Sequence, residues 1–244
     1  GSIPTSTAMY PAGTLYKTQT TDEQDHAVVE YKDKHGHVVL KKVQFDATPG
    51  TSHTGWLCTY YVYDDLGNLR FVIQPQGVAL LLAAGNWTVT TAIASGLCFR
   101  YEYDARRRMI IKKVPDAGEV WMVYDQWDRL ALTGDANLRA THQWIFTKYD
   151  ALNRPVLTGL YTDATHTTQS SMQSYLNTQG LGRYESRNTG VQLGYTTTQS
   201  FPSLPSMTYS SADWMTISFY DDYSGGNLFG AAYYTRDNSR DGSF

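Results

Sequence analysis

The sequence predicts an all-β protein in which antiparallel β-hairpin repeats form an open, curved or spiral sheet, with one or two short helices. One pattern recurs: an apolar run, a Tyr-Asp pair, a short polar connector and a second apolar run. Aromatic residues make up 14% of the 244 residues, and aromatic and β-branched residues favour strands. We therefore predict hairpin units near 26–45, 56–75, 97–114, 119–134 and 143–159.

Each predicted turn begins at the Asp of the Tyr-Asp pair. Asp suits the first position of a type I turn because its carboxylate accepts backbone N–H bonds, and the fourth position favours Gly, which tolerates positive φ. In four copies the fourth position holds Gly67, Arg107, Asp128 and Asn153. Asp and Asn also tolerate positive φ. We therefore expect Arg107 to be strained or to lie in a different turn.

The residues that carry the repeat are predicted to be structural: Tyr63, Asp64, Gly67, Tyr103, Asp104, Tyr124, Asp125, Arg129, Tyr149, Asp150 and Arg154. We expect each Arg to pair with the Asp of its turn, which is worth only about 0–1 kcal/mol if the pair is exposed. The Tyr residues of consecutive hairpins lie two strands apart, roughly 10 Å at about 4.8 Å per strand. Each Tyr can then cover the strand that lies between it and the next repeat Tyr, and together these residues can line one face of the sheet.

The N-terminal residues 1–17 are rich in Thr, Ser and Pro and are predicted to form an extended lead-in or an expression remnant, since Gly1 stands in place of Met. Residues 18–244 then form the repeat domain. Pro75 is expected to end the second unit because proline cannot donate to a sheet ladder. The apolar run 78–84 is predicted to be a helix that packs on the sheet.

After Gly159 the repeat stops. Apolar residues at helical spacing predict a helix near 165–178. Residues 183–195 and 207–210 read as further strands, and an end strand is predicted near 215–222. Since a sheet cut from a longer one exposes two edges, we expect the N-terminal lead-in or the 163–180 segment to cover one of them. Otherwise the chain should self-associate.

Composition limits the classes of partner. The formal net charge is −3 and the pI is about 6.1, which gives no sign of a nucleic-acid partner, and no apolar run is long enough for a membrane span. The two cysteines, Cys58 and Cys98, occupy equivalent positions two strands apart. That separation of about 10 Å exceeds the disulfide reach of roughly 7 Å. We therefore predict buried free thiols.

The sequence offers few groups for chemistry. His35 and His37 could bind a metal, but an exposed turn is the favoured interpretation, and a calcium site at Asp213 with Asp221 and Asp222 has no supporting motif. The basic residues Arg106–Arg108, Lys112 and Lys113 are read as a solvated hairpin tip rather than a binding patch. No catalytic or cofactor motif is present. Because the Asp residues recur with the turn period, we predict no catalytic residues, no metal and no cofactor; ligand-binding residues are not identified.

The repeat units YVYDDLGNLRFVIQP, YEYDARRRMIIKKVP, MVYDQWDRLALTG and TKYDALNRPVLTG resemble the tyrosine-aspartate (YD) repeats of Rhs proteins and teneurins. EYKDKHGHVVLKKVQ and SFYDDYS are similar to the Bacteroidetes-type branch of this family. The resemblance covers Tyr31 to Gly159 well and Tyr220 to Tyr223 weakly. The chain departs from the family pattern where the family Gly is replaced by Arg107, Asp128 and Asn153, and where the family Arg is replaced by Asn68.

The resemblance implies a role. In this family the hairpins wind into a hollow shell that encloses a variable, often toxic, C-terminal domain, so the implied partner is the remainder of the same polypeptide and the implied location is secreted or at the bacterial cell surface. The alternative is a carbohydrate- or protein-binding module of a surface adhesin, because Tyr and Trp are in surplus and aromatic faces bind such partners. Its candidate residues are Trp127 and Trp144. A polysaccharide hydrolase is least favoured.

Overall fold

The structure, a computed structural model, describes residues 3–5, 9–188, 190–191, 193–205 and 213–220. The chain divides into two compact units, Gly1–Val120 (unit 1) and Trp121–Phe244 (unit 2). The described strands number twelve, they pair antiparallel, and they follow one another in chain order. The predicted all-β antiparallel class is therefore confirmed. None of the helices within the described ranges is long and apolar enough to cross a bilayer.

Unit 1 contains seven complete strands and two helices. The strands are β1 (Tyr16–Thr21), β2 (Ala27–Lys32), β3 (Val38–Gln44), β4 (Trp56–Tyr63), β5 (Leu69–Ile73), β6 (Cys98–Tyr103) and β7 (Met109–Lys113). Each pairs with the next one along the chain. The helices α1 (Pro75–Ala83) and α2 (Thr91–Gly96) lie in the connection between β5 and β6.

The core of unit 1 forms where these helices pack on one face of the sheet. Its buried members are Cys58, Phe71, Ile73, Val78, Leu81, Val89, Ala94 and Cys98. Pro75 opens α1 instead of simply ending a strand, because the first helical position needs no N–H donor. Thr90 caps α2 by accepting the N–H of Ile93. Helix α1 matches the helix predicted for 78–84, whereas α2 was not predicted.

Unit 2 holds most of β8 (Glu119–Tyr124), followed by β9 (Leu130–Gly134), α3 (Ala136–Ala140), β10 (Gln143–Tyr149), β11 (Pro155–Thr162), α4 (Gln169–Thr178) and β12 (Trp214–Ile217). The strands again pair in chain order. Helix α4 lies inside the predicted 165–178 range and begins at a capping box formed by Thr168 and Ser171. Helix α3 was not predicted.

The core of unit 2 combines one sheet face with α4 and the irregular segment that follows it. The fully buried side chains include Val123, Leu132, Phe146, Val156, Leu157, Met172 and Leu193. Helix α4 also binds strand backbone. Gln173 accepts from the N–H of Tyr124 at 2.9 Å and donates to its carbonyl at 2.7 Å, and Gln169 donates to the carbonyl of Met122 at 2.8 Å. The 163–180 segment therefore binds the backbone of β8, which is not an end strand of the sheet, so these bonds do not provide the edge cover that we expected.

Three expectations concern the N-terminal residues and the residues after α4, and each is either corrected by the structure or falls on residues that the structure does not describe. β1 begins at Tyr16, so the predicted lead-in 1–17 contains the start of a strand. The described residues of 183–195 form no strand and make only one isolated bridge, between Arg187 and Tyr195. β12 ends at Ile217, while residues 207–210 and 221–222, the latter part of the proposed calcium site, lie outside the described residues.

Candidate functional site: the hairpin turns

The Asp of each hairpin turn organises the local backbone. At Asp125 one carboxylate oxygen, Oδ1, accepts the backbone N–H groups of Trp127 and Arg129, both at 2.9 Å. The Asp125 N–H donates in turn to the Arg129 carbonyl at 2.9 Å. Asp64, Asp104 and Asp150 make the same set of bonds at 2.9–3.0 Å. The predicted turn residues thus act on backbone groups.

The fourth turn position has positive φ in all four copies: 79° at Gly67 and 63° at Arg107, Asp128 and Asn153. Arg107 therefore occupies the same turn as its counterparts, in a conformation that disfavours its side chain. The ladder shifts register just before each of these turns. A type I turn followed by a left-handed residue and a bulge is a common three-residue hairpin connection.

Replacing Arg107 by Gly is expected to stabilise unit 1 by roughly 1 kcal/mol, because Gly adopts positive φ without the steric penalty that an L side chain carries. The midpoint of urea denaturation measures the change. Arg106→Gly is the matched control, since Arg106 precedes it without positive φ and Gly there should destabilise. A lower midpoint for Arg107→Gly than for the parent chain would contradict the assignment of strain.

The residue after the left-handed position closes the turn with its side chain. Arg108, Arg129 and Arg154 donate from Nε to the second Asp oxygen, Oδ2, at 2.7–2.8 Å. In the copy that lacks Arg, Asn68 donates to Asp64 Oδ2 at 3.0 Å. Burial alone would raise the pKa of the Asp64 and Asp104 carboxyls, but hydrogen bonds from Asn68 and Arg108 hold both pKa values below the ordinary range.

Two further turns repeat this arrangement with His in the closing position. Asp22 binds the N–H of His26 at 2.8 Å and Asp33 that of His37 at 2.9 Å. Asp33 Oδ2 also lies 3.1 Å from His37 Nδ1, and the His37 ring stacks on Tyr63 at 4.6 Å. His37 thus belongs to a turn. Among the described residues no three His, Cys, Asp or Glu side chains group as metal ligands would.

Three of the repeat tyrosines donate a hydrogen bond to the preceding hairpin. Tyr63 donates to the carbonyl of Val38 at 3.2 Å, and Tyr149 to that of Leu130 at 2.9 Å. Tyr220, in the weak last copy, donates to the carbonyl of Pro155 at 2.9 Å. Each acceptor is the fifth residue after the Asp of the preceding turn. The tyrosine hydroxyl therefore fixes the register of its hairpin against the preceding hairpin, while the ring covers the strand between them.

Other candidate residues are spread over different environments. Cys58 and Cys98 are free and buried, as predicted, and burial raises the pKa of Cys98 to about 11. The basic run is not a single patch, because Arg108 pairs with Asp104 and Lys113 donates to the carbonyl of Ser95 at 2.6 Å. Trp127 is 39% exposed at a turn, whereas Trp144 is 2% exposed within the core. The suggestion that Trp144 contacts a glycan is therefore wrong.

One polar cluster was not found from the sequence. Lys148 of β10 and Glu185 have fully buried side chains, and Lys148 Nζ lies 2.7 Å from Glu185 Oε1. Burial lowers the pKa of Lys148 although the Glu185 carboxylate opposes it. The available signal was the position of Lys148 in the alternating series Trp144, Phe146, Lys148, whose other members face the core. Its partner lies 37 residues away in sequence.

Comparisons with known proteins give structural neighbours only. No protein-family model matches the chain. No curated protein matches it either. The chain is similar to a crystal structure of TcdB2-TccC3, with 17% identity over 72% of this chain and 8% of that chain and a TM-score of 0.44. It is also similar to the Photorhabdus luminescens Tc holotoxin pore, with 17% identity over 68% of this chain and 8% of that chain and a TM-score of 0.43. The chain thus spans less than a tenth of these chains.

Proposed function

We propose that this chain is a non-catalytic structural scaffold, a slice of a YD-repeat shell that encapsulates a C-terminal toxin or effector domain of its own polypeptide. The observation that carries the proposal is the recurring turn, in which the Asp binds two backbone N–H groups and the side chain of the closing residue. In every copy these side chains hydrogen-bond to the turn backbone or to each other, which suits a structural role better than a catalytic one. The shell acts outside the producing cell or at its surface.

The tyrosine hydroxyls support the same function. A wall that encloses cargo needs consecutive hairpins to join without slippage, since a slip of one residue reverses the faces of a strand. The bonds from Tyr149 to Leu130 and from Tyr220 to Pro155 tie neighbouring hairpins of unit 2 at equivalent points. The bond from Tyr63 to Val38 does the same in unit 1.

Limited proteolysis of the full-length protein tests this proposal. The downstream domain should survive longer when it is joined to the repeats than when it is alone, and Asp64→Ala should shorten that protection because it removes the acceptor at the centre of a turn. Asp65→Ala is the matched control, because the adjacent Asp65 is exposed at the same turn. Equal digestion of the downstream domain with and without the repeats would refute the proposal.

The alternative function, a carbohydrate- or protein-binding module of a bacterial surface adhesin, is favoured by one observation. Trp127 is partly exposed at a hairpin turn, and the Arg129 guanidinium lies 5.4 Å from the centre of its ring. Aromatic and guanidinium groups are enriched at binding hot spots. Binding on a glycan array that is lost on Trp127→Ala would support this function, whereas an array without signal would count against it.

A further inference from the structure

The segment 183–205 that follows α4 is called the strap, and its described residues cover part of the sheet face of unit 2 without regular structure of their own. Leu193, Tyr195 and Phe201 pack into the core. Its described residues form no helix or strand, only the Arg187–Tyr195 bridge. Apolar contacts are non-directional, so these three side chains alone leave the position of the strap weakly specified.

The beginning of the strap is fixed at the hairpin turns. The N–H of Glu185 donates to the carbonyl of Tyr149 at 2.8 Å, and Arg129 donates to the carbonyl of Arg183. Ser186 joins the far end of the strap to its beginning, since its N–H donates to Thr196 Oγ1 and its hydroxyl to Gln199 Oε1, both at 2.8 Å. These bonds lie within the strap, so a separate contact must hold 196–201 against the sheet.

The Glu185 carboxylate, together with Lys148 of β10, makes that contact. Oε1 accepts the N–H and hydroxyl of Ser200 at 2.9 and 2.7 Å, and Oε2 accepts the hydroxyl of Thr196 at 2.7 Å and the N–H of Gln199 at 3.2 Å. Lys148 joins this cluster to β10, since its Nζ also donates to the Ser200 carbonyl at 2.8 Å. One buried ion pair thus ties both ends of the strap to one strand.

In some proteins a buried ion pair specifies position more than it stabilises. Removing two charges from water costs about as much as their attraction returns, and an apolar pair of similar volume is often as stable. A displaced strap, in contrast, would leave a buried charge without its partner, which is heavily penalised. We infer that the Lys148–Glu185 pair is a positioning latch that selects a single docked arrangement of the strap on unit 2 and adds little net stability.

The double variant Lys148→Met/Glu185→Leu tests this inference by amide hydrogen exchange. The reporter is the Leu204 N–H, which donates to the Thr197 carbonyl at 2.9 Å and therefore keeps its acceptor in the variant. We expect the Leu204 amide to exchange about tenfold faster or more. The urea midpoint should fall less than in Lys148→Met alone, because the double variant leaves the donors of Ser200, Thr196 and Gln199 without the Glu185 oxygens but leaves no buried charge without its partner. Unchanged exchange at Leu204 would overturn the inference.

A urea midpoint as low as that of Lys148→Met alone, or failure to fold, would also overturn it, because removing both charges would then cost as much as leaving one of them unpaired. The control is Lys32→Met/Glu30→Leu, which removes a partly exposed ion pair of 3.1 Å in unit 1. That variant should leave both the midpoint and the Leu204 exchange rate unchanged. Leu204 exchange at the parent rate in Lys32→Met/Glu30→Leu, together with faster exchange in Lys148→Met/Glu185→Leu, would establish the latch.

Discussion

Lys148→Met alone is expected to destabilise unit 2 by about 3–5 kcal/mol, the usual cost of breaking a buried ion pair from one side. The substitution keeps an apolar stem of similar length, so little packing is lost. It leaves the Glu185 carboxylate at 0% exposure without a cation. The loss should therefore exceed that of the double variant, in which both charges are removed.

Urea denaturation followed by tryptophan fluorescence measures this loss, because Trp144 lies in the core of unit 2. Lys32→Met is the matched control. Lys32 pairs with Glu30 at 3.1 Å, but its side chain is 35% exposed, and partly exposed pairs of this kind contribute at most about 1 kcal/mol. Equal losses for the two variants would show that Glu185 does not depend on Lys148 for its burial.

Local turn chemistry explains why much of the repeat could be predicted from the sequence. An Asp followed three residues later by Gly, Asp or Asn is enough to predict the turn, because the Asp accepts the backbone N–H groups and the later residue tolerates positive φ, as at Asp125 and Asp128. The turn at Asp22 has the same bonds, yet the sequence pattern does not predict it. It follows β1, in which every residue is exposed, so the strand shows no apolar alternation and resembles a Thr-rich loop.

The contacts that could not be predicted are the long-range ones. Nothing near Glu185 in sequence identifies Lys148 as its partner, and nothing near Gln173 identifies the backbone of Tyr124, 49 residues away. Such contacts depend on where the fold brings separate segments, whereas hairpin turns depend on four or five adjacent residues. This is why the hairpin turns are predictable from the sequence, whereas the strand predicted over 183–195 is absent from its described residues, which form only an isolated bridge.

Phe146→Ala is expected to cost about 3–5 kcal/mol, as for other buried Phe residues. Phe146 is 0% exposed in the middle of the unit 2 core. Its ring lies over Gly159 on the neighbouring strand, where an added Cβ would come closest to the carbonyl oxygen of Asp213 and would also lie 2.7 Å from ring atoms Cε1 and Cζ. The ring therefore fills the space that the absent side chain of Gly159 leaves.

Gly159→Ala should accordingly destabilise by about 1–3 kcal/mol through overpacking, and the two costs should not add. In the Phe146→Ala background the clash with the ring is removed while that with the Asp213 carbonyl oxygen stays, so part of the cost of Gly159→Ala should be relieved, with a coupling of about 0.5 kcal/mol or more. Gly50→Ala is the control, since its Cβ would lie 3.5 Å from Thr54, an ordinary contact. Strict additivity in urea denaturation would show that the Asp213 carbonyl, rather than the Phe146 ring, is what requires glycine at position 159.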